Sequence, residues 1–517
     1  MKKKIRKIVS VMLCMAIVSA MSVSTFAAAS IPSSDDTARV YIMNVDSGST
    51  VTAYKVVNAV YNSNGLTGYE VVNGVSIADI ENITDDEVTA IALDAINGEV
   101  ALTSAELTDS GSDYFYGSLT AGTWIVVVTN NGETIYNPMA VSCYYTDAND
   151  ASSLEAGTVD ANGNFNEDDT LYAKSIEGVG DDKTVEVNGE EVHAASANVG
   201  DTVSYTWSGI IPAYSDAYAQ DILVYTMTDT MSSGLDPVTS VDVYVVSGVE
   251  KTAVAASTST YVVTYSGQTF TVEFASSFIY SHRGYTVVIE YSTTINSEAL
   301  TYNLVTNSYS VEYTNAPDGG TYTVKGGDDP EDIVKIYTFT LGDGGEIISV
   351  NSSYESLADT TFGIYTDADC TQLYTNDYET DGLCTTASDG YVIFEGLSEG
   401  TYYIKETSAA SGYYIIDTVY TVDIEVTWNE GQTAIDYYTV TVTDEDGNSR
   451  VSTYTYDDDG DEIASEVINT TFIISSKLAI LPSTGGSGIY IFAGAALVLF
   501  GICSAAVLGR SRKGSRA

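Results

Sequence analysis

Residues 437–456 read YYTVTVTDEDGNSRVSTYTY, and this stretch indicates the fold class of the chain. Apolar or aromatic residues alternate with polar ones on both sides of Asp446-Gly447, which is the period of a half-buried β-strand. An Asp-Gly pair between two such runs is a strong signal for a β-hairpin. The stretch therefore predicts antiparallel sheet.

The same alternation recurs at 123–130, 260–274 and 285–293. Forty tyrosines and 43 glycines, with abundant valine and threonine, favour strands joined by turns. One helix is predicted, because Thr84 and Glu87 form a capping box ahead of an apolar pattern of helical period. We predict an all-β chain of tandem β-sandwich domains, immunoglobulin-like in class.

The distribution of charge excludes several kinds of partner. The 517 residues include 20 Lys and Arg against 71 Asp and Glu, for a formal net charge of −51. Nine of the 20 basic residues lie at the two ends, so the body carries the other eleven and all 71 acids. Such a surface repels phosphate, so we expect no nucleic acid partner. The two histidines fit no zinc or catalytic motif, and we expect no metal and no cofactor.

The N-terminus has the pattern of a secretory signal peptide. Residues 1–29 contain five basic residues, then an apolar stretch, then small residues suited to cleavage. An exported protein can form disulfides, and Cys370 and Cys384 are a candidate pair across a loop. The body has three cysteines, an odd number, so the alternative of no disulfide stays open.

The C-terminus combines a pentapeptide, an apolar span and a basic tail. Residues 489–508 are mostly apolar and long enough to cross a bilayer, and the basic residues after them favour the cytoplasmic side. Together these elements resemble the sorting signal of Gram-positive surface proteins, which the transpeptidase sortase reads. The resemblance implies transient membrane insertion, then cleavage after Thr484 and transfer of its carbonyl to an amine. The motif consists of Leu481, Pro482, Ser483, Thr484 and Gly485.

Clusters of glycine and acidic residues at 176–183 and 315–332 suggest domain boundaries. Each body segment then has a usual size for a β-sandwich with insertions. The predicted order is a signal peptide (1–29), a first domain (30–173), a second domain (174–328), a third domain (329–478) and the sorting region (479–517).

The first domain resembles the N-terminal domain of backbone subunits of sortase-assembled pili, on GSTVTAYKVV (48–57) and LTAGTWIVVVTNNGETIYNPMAV (119–141). Its end, LYAKS (171–175), is similar to the short motif whose lysine is the polymerising nucleophile. The resemblance implies that Lys174 accepts the acyl group of a sister molecule. The motif is loose, since Ala173 stands where proline is common, and the alternative is a solvated lysine at a boundary.

The second domain resembles the fimbrial domain that forms an internal Lys-Asn isopeptide bond, on VGDTVSYTWSGIIP (199–212) and TNSYSVEYTNAP (306–317). The resemblance implies Lys183 as nucleophile, Asn307 as electrophile and Asp229 as proton shuttle. The chemistry requires burial, because a buried lysine favours its neutral, nucleophilic form. A buried carboxyl likewise stays protonated and can polarise the amide carbonyl.

The third domain resembles the collagen-adhesin B-type domain, on EGLSEGTYYIKETSAASGY (395–413). The resemblance implies Glu406 as the acid and Asn469 as the amide. Leu341 stands where the family has its lysine, so we expect no complete isopeptide bond here. A shifted register that uses Lys335 is the alternative.

The resemblance implies a structural protein, the major shaft subunit of a covalently polymerised pilus on the cell surface. Its partners would be sortase, sister subunits, and peptidoglycan or an anchoring subunit. It does not imply an enzyme, since the only chemistry indicated is self-directed and happens once per molecule. The alternative is a monomeric wall-anchored adhesin that binds host matrix or glycan.

Overall fold

The computed structural model describes three β domains in series. It covers residues 30–478 without 131, 160–163, 177–178, 188, 217, 302, 318, 327–332, 377–380 and 457–461, and without the side chains of 462–467. The predicted signal peptide, sorting motif and apolar span lie outside these residues. In the part of the chain that is covered, no helix has the length and apolar character needed to cross a membrane.

The first domain packs two sheets around one core, with a helix against the larger sheet. One sheet has the order β12-β1-β6-β5, and the other β11-β10-β9-β7-β2-β3 with β4 also on β2, while β8 pairs with β13. The elements are β1 (Thr37–Met43), β2 (Thr50–Asn62), β3 (Gly65–Val71), α1 (Asp85–Ile96), β4 (Ser104–Glu106), β5 (Thr108–Asp109), β6 (Tyr114–Thr120), β7 (Gly122–Thr129), β8 (Ile135–Tyr136), β9 (Met139–Tyr145), a 3₁₀ turn (Ala151–Ser153), β10 (Leu154–Val159), β11 (Phe165–Glu167), β12 (Thr170–Tyr172) and β13 (Ser175–Ile176).

Helix α1 confirms the helix predicted from the sequence. The Thr84 hydroxyl accepts from the Glu87 N–H, and the Glu87 carboxylate accepts from the Thr84 N–H, which satisfies two otherwise unpaired donors. The apolar face, including Val88 and Ile91, packs with residues of β2 and β7 such as Ile125.

The second domain is a sandwich of two large sheets. Their orders are β15-β14-β17-β23-β19-β20 and β16-β26-β24-β18-β22-β21, with β25 also on β24. The predicted strands at 260–274 and 285–293 are confirmed as the hairpin β21–β22 and as β23. The elements are β14 (Asp182–Val187), β15 (Glu190–Val192), β16 (Ala194–Ser196), β17 (Thr202–Ile210), a 3₁₀ turn (Gln220–Ile222), β18 (Tyr225–Met231), β19 (Asp242–Ser247), β20 (Glu250–Ala253), β21 (Tyr261–Ser266), β22 (Thr269–Phe274), α2 (Ser276–Ser281), β23 (Thr286–Thr294), a 3₁₀ turn (Ser297–Thr301), β24 (Leu304–Thr314), β25 (Thr321–Gly326) and β26 (Val334–Tyr337).

The third domain contains one long sheet of order β30-β29-β32-β33-β34-β35-β36. Its other strands form two pairs, β27–β31 and the parallel β28–β37. The predicted hairpin around Gly447 is confirmed as β34–β35, and this glycine has a φ of 82°, which suits a residue without a Cβ. The elements are β27 (Phe339–Leu341), β28 (Ile347–Asn351), β29 (Thr361–Tyr365), β30 (Leu383–Thr385), β31 (Phe394–Leu397), β32 (Gly400–Ser408), β33 (Val419–Trp428), β34 (Ile435–Thr443), β35 (Ser449–Tyr456), β36 (Glu462–Val467) and β37 (Thr471–Ser475).

Strand β26 lies after residue 328, the predicted end of the second domain. It pairs with β24 and with β16, so it completes a sheet of the second domain. Val334 and Ile336 belong to the core of the second domain, whereas Tyr337 belongs to the core of the third. The strand is buried on both faces because each face meets a different core.

The first and second domains also share buried contacts. Ile135 of β8 packs in the core of the second domain. The hydroxyl of Tyr313 donates to the carbonyl of Glu133 at 2.6 Å, and that of Tyr218 donates to the carbonyl of Tyr136 at 3.0 Å. These contacts attach the first domain to the end of the second.

Candidate functional site

The second domain brings its three predicted site residues together between its two sheets. Lys183 lies on β14 of one sheet, and Asp229 and Asn307 lie on the neighbouring strands β18 and β24 of the other. Lys183 Nζ contacts the Asp229 carboxylate and lies 2.5 Å from Oδ1 of Asn307. All three residues are at most 1% exposed.

Strand periodicity explains why these polar residues point inward. Along β24 the residues 305, 307, 309, 311 and 313 are buried and those between them are partly exposed. Asn307 therefore occupies a core position among Val305 and Tyr309. Lys183 is paired with the fully buried Trp207, so it shares the inward face of its own sheet.

Four aromatic rings surround the lysine amine. Lys183 Nζ lies between 5.5 and 5.9 Å from the ring centroids. The π faces attract a cation, but the rings also keep water away from the amine. The rings are those of Tyr205, Trp207, Tyr291 and Tyr309.

Burial shifts both ionisable groups toward their neutral forms. Removal from water lowers the pKa of Lys183, and the attraction of Asp229 offsets only part of this shift. Removal from water likewise raises the pKa of Asp229 against the opposing effect of Lys183. A neutral amine beside a protonated carboxyl is the state in which the amine can attack an amide that the carboxyl polarises.

Tyr291 is a fourth polar member of the site, and the sequence analysis missed it. Its hydroxyl donates to Oδ2 of Asp229 at 2.5 Å and accepts from Nδ2 of Asn307 at 2.8 Å. Burial raises the pKa of Tyr291, so the hydroxyl keeps its proton. The alternation of polar and apolar residues in β23 predicts that Tyr291 points into the core. It cannot predict which side chains of the opposite sheet Tyr291 meets there.

Lys174 lies at the surface of the first domain, two residues after the end of β12. Its carbonyl accepts a hydrogen bond from Asn137 N at 3.0 Å, which fixes the backbone. Lys174 borders a cleft of about 430 Å³ whose lining includes the apolar Ile80 and Ile83 and the carboxylate of Asp85. The amine is therefore accessible, unlike that of Lys183.

The residues predicted for a third-domain bond are not brought together. Lys335 lies on β26, and its N–H donates to the carbonyl of His193. Glu406 on β32 is buried and accepts from Ile416 N at 3.1 Å, and burial raises its pKa. Asn469 is exposed, and its Nδ2 donates to the carbonyl of Val451 at 2.6 Å.

Leu341, at the lysine position that the resemblance implies, lies on a strand that does not pair with the last strand. Leu341 ends β27 and packs in the core, but the strand beside the last strand is β28. On β28 the buried Ser349 is paired with Ile473, and no lysine occurs between Ile347 and Asn351. Strand β28 begins at Ile347, six residues after Leu341.

The candidate disulfide between Cys370 and Cys384 is contradicted, since neither residue is disulfide-bonded. Cys384 lies on β30, where its sulfur accepts from Ile393 N at 3.3 Å. The sulfur of Cys370 lies 3.9 Å from the carbonyl of Ala368, in a turn where Cys370 has a φ of 51°. The two sulfurs are thus held by different local contacts.

Three β domains in series, with a lysine, a carboxyl and an asparagine buried together in the central one, are the arrangement that the resemblance to backbone pilins implies. Residues 35–175 match the family described as the T6 antigen Ig-like domain. Residues 344–439 match the family described as a prealbumin-like fold domain. These matches confirm the resemblance to backbone pilins that the sequence indicated.

Similarity also extends to individual proteins. The trypsin-resistant surface T6 protein of Streptococcus pyogenes serotype M6 is 29% identical over 211 residues, which are 39% of this chain and 37% of that protein. The solved T6 backbone pilin of that organism has a modular three-domain structure. It is similar with a TM-score of 0.57 and 20% identity, over 87% of this chain and all of that chain. The full-length major pilin SpaD of Corynebacterium diphtheriae gives a TM-score of 0.49 and 16% identity, over 86% of this chain and 99% of that chain.

Proposed function

We propose that this protein is the shaft subunit of a covalently polymerised pilus on the cell surface. The observation that carries the proposal is the three-domain fold shared with the T6 backbone pilin along that chain's whole length. The sorting motif and the accessible Lys174 supply the two groups that a chain of covalently linked copies needs. Sortase, sister subunits, and peptidoglycan or an anchoring subunit are the partners that follow.

The linkage joins the carbonyl of Thr484 to Nζ of Lys174 in another copy. Sortase releases the tail that begins at Gly485 and holds the acyl group, and the lysine amine then displaces the enzyme. The product is an amide between two copies. Each copy has one donor and one acceptor, so repetition gives an unbranched filament.

A blot of boiled surface extract tests the polymer. Wild-type protein should give a ladder that resists denaturant, and Lys174→Ala should give monomer that is still attached to the wall. The matched control is Lys325→Ala, which removes another exposed lysine and should keep the ladder. A wild-type extract with monomer alone would overturn the proposal and favour the adhesin.

A second part of the proposal is an internal isopeptide bond in the second domain. Neutral Lys183 Nζ attacks Cγ of Asn307 while protonated Asp229 donates to Oδ1. The C–Nδ2 bond breaks, one ammonia leaves with the proton that the lysine nitrogen gives up, and Asp229 ends as it began. For the third domain we propose that no such bond forms.

The mass of the exported protein tests this bond, because its formation removes one ammonia. Asp229→Asn should restore the full mass and abolish the tryptic peptide that joins Lys183 to Asn307. The control Asp242→Asn, at an exposed position of β19, should keep the cross-link. Full sequence mass in wild-type protein would remove this part of the proposal.

A further inference from the structure

The third domain ends in exposed apolar side chains. Six of these side chains are between 41% and 63% exposed. They lie either near the sorting motif in the sequence or beside the last strand of the domain. An exposed group of this kind usually marks an interaction site. We call it the C-terminal patch, and it consists of Tyr354, Tyr414, Ile415, Phe472, Ile474 and Leu478.

Backbone contacts hold the segments of the patch side by side. Tyr414 N donates to the carbonyl of Ser476 at 3.0 Å, and Leu478 N donates to that of Gly412 at 2.8 Å. The rings of Tyr354 and Phe472 are 5.6 Å apart in an edge-to-face arrangement. The patch is therefore a built surface rather than a set of scattered side chains.

The first domain has an aromatic surface beside Lys174, in which Tyr172 is exposed and the other rings are half-buried. Register pairing aligns Tyr172 with Met43 and Tyr114, and Thr170 with Tyr41 and Tyr116, across three strands. The rings of Tyr41, Tyr114 and Tyr116 lie 6.3 to 6.5 Å apart. We call this surface the tyrosine face, and it consists of Tyr41, Tyr114, Tyr116 and the 64%-exposed Tyr172.

The length of the tether brings these two surfaces together in a polymer. Thr484 follows Leu478 by only six positions, and six extended residues span roughly 20 Å. A Thr484–Lys174 bond therefore keeps the C-terminal patch of one copy near Lys174 of the next. Tyr172 is two residues before that lysine. A short tether of this kind gives a high effective concentration for a weak contact.

We infer that the C-terminal patch packs on the tyrosine face of the next copy, an inference that rests on the proposed shaft function. The guanidinium of Arg39 lies 5.3 and 5.2 Å from the ring centroids of Tyr41 and Tyr116, so it packs on the rings of the tyrosine face. The contact makes each junction stiff instead of a free hinge.

Cross-linking in displayed full-length protein tests the contact. Cells carry Ile474→Cys together with Tyr114→Cys, and intact pili are treated with a short bifunctional maleimide. Digestion and mass spectrometry should find the 474–114 peptide pair, and adding Lys174→Ala should abolish it. The control pairs Val249→Cys, fully exposed at the β19–β20 turn, with Tyr114→Cys and should give no pair. The thiol introduced at position 474 should also react with a monofunctional maleimide at least several-fold more slowly in pili than in the Lys174→Ala monomer.

The outcomes separate this inference from the proposed function. A denaturant-resistant ladder without the 474–114 pair, and with the introduced thiol at position 474 equally reactive in pili and monomer, overturns the contact and leaves the shaft function standing. A pair that persists with Lys174→Ala also overturns it, because the contact would not require linkage. Absence of the ladder overturns both.

Discussion

The hydroxyl of Tyr291 lies between the carboxyl of Asp229 and the amide of Asn307 and is hydrogen-bonded to both. It donates to Asp229 and accepts from Nδ2 of Asn307, the nitrogen that leaves as ammonia. It therefore orients the amide so that Oδ1 faces Nζ of Lys183. We regard Tyr291 as a positioning residue for the proposed bond.

Tyr291→Phe should slow bond formation about tenfold or more, since a lost hydrogen bond to a buried polar group costs roughly 1–3 kcal/mol. Pulse-labelled protein should then show a long-lived species that retains the ammonia by mass. Tyr225→Phe is the matched control, because Tyr225 is buried in the same domain and its hydroxyl has no partner in the described chain. Equal rates for the two variants would show that Tyr291 only fills space.

Glu346 is a buried acid of the third domain that the sequence did not indicate. Tyr454 donates to one of its oxygens, and the other has no partner among the described residues. Burial raises the pKa of Glu346 above its ordinary value. The folded domain therefore holds this proton more tightly than the unfolded chain, and its stability falls as pH rises from the unfolded pKa through the folded one.

Glu346→Gln should raise the melting temperature of the third domain at neutral pH and change little near pH 4. The gain corresponds to about 1.4 kcal/mol for each unit by which burial raises the pKa. Calorimetry of the exported chain at both pH values measures it. Glu425→Gln, at an exposed position of β33, should have no such effect. A loss of stability at neutral pH would contradict this account of Glu346.

The N-terminal cap of α1 supports one wall of the cleft beside Lys174. Thr84→Ala removes the hydroxyl that accepts from Glu87 N and should destabilise the first domain by about 1 kcal/mol. Thr89→Ala makes the same change inside the helix, where alanine is favoured, and should be neutral or slightly stabilising. Denaturant unfolding of both variants checks this, and equal loss in both would refute the role of the cap.

Local patterns predicted hairpins and the helix, but not the pairing of distant strands. The hairpin β34–β35 could be predicted from the alternation of apolar and polar residues around one turn. The site residues Lys183, Asp229 and Asn307 could be predicted from the family resemblance, together with the two-residue period of a strand that points them inward. The pairing of β28 with β37 brings Ile347 beside Thr471. A pattern within either strand cannot predict this pairing, because the two strands lie far apart in the sequence. Nor does any local signal show that β26 is buried between the cores of the second and third domains, beyond the predicted boundary at residue 328.

In the proposed shaft, tension would enter each copy at Lys174 and leave at Thr484, so it would cross all three domains. A bond between Lys183 and Asn307, 124 residues apart, clamps the two sheets of the second domain. By the chain-entropy model, closing that loop stabilises the fold by about 5 kcal/mol. It also keeps those residues from extending under load.

Force spectroscopy of the full ectodomain measures that clamp. Asp229→Asn should release the 124-residue segment, which adds roughly 430 Å of extended chain that wild-type protein never shows. Asp242→Asn should behave like wild type. Wild-type traces that already contain this extension would mean that the second domain has no covalent clamp.

The junction between copies is the central claim, and peptide mapping of purified pili tests it most directly. Trypsin digestion and tandem mass spectrometry should find a branched peptide in which the carbonyl of Thr484 forms an amide with Nζ of Lys174, and Lys174→Ala should remove it. Pili whose Thr484 is joined to a different lysine, or protein in which Thr484 is found only on a cell-wall amine, would contradict the account.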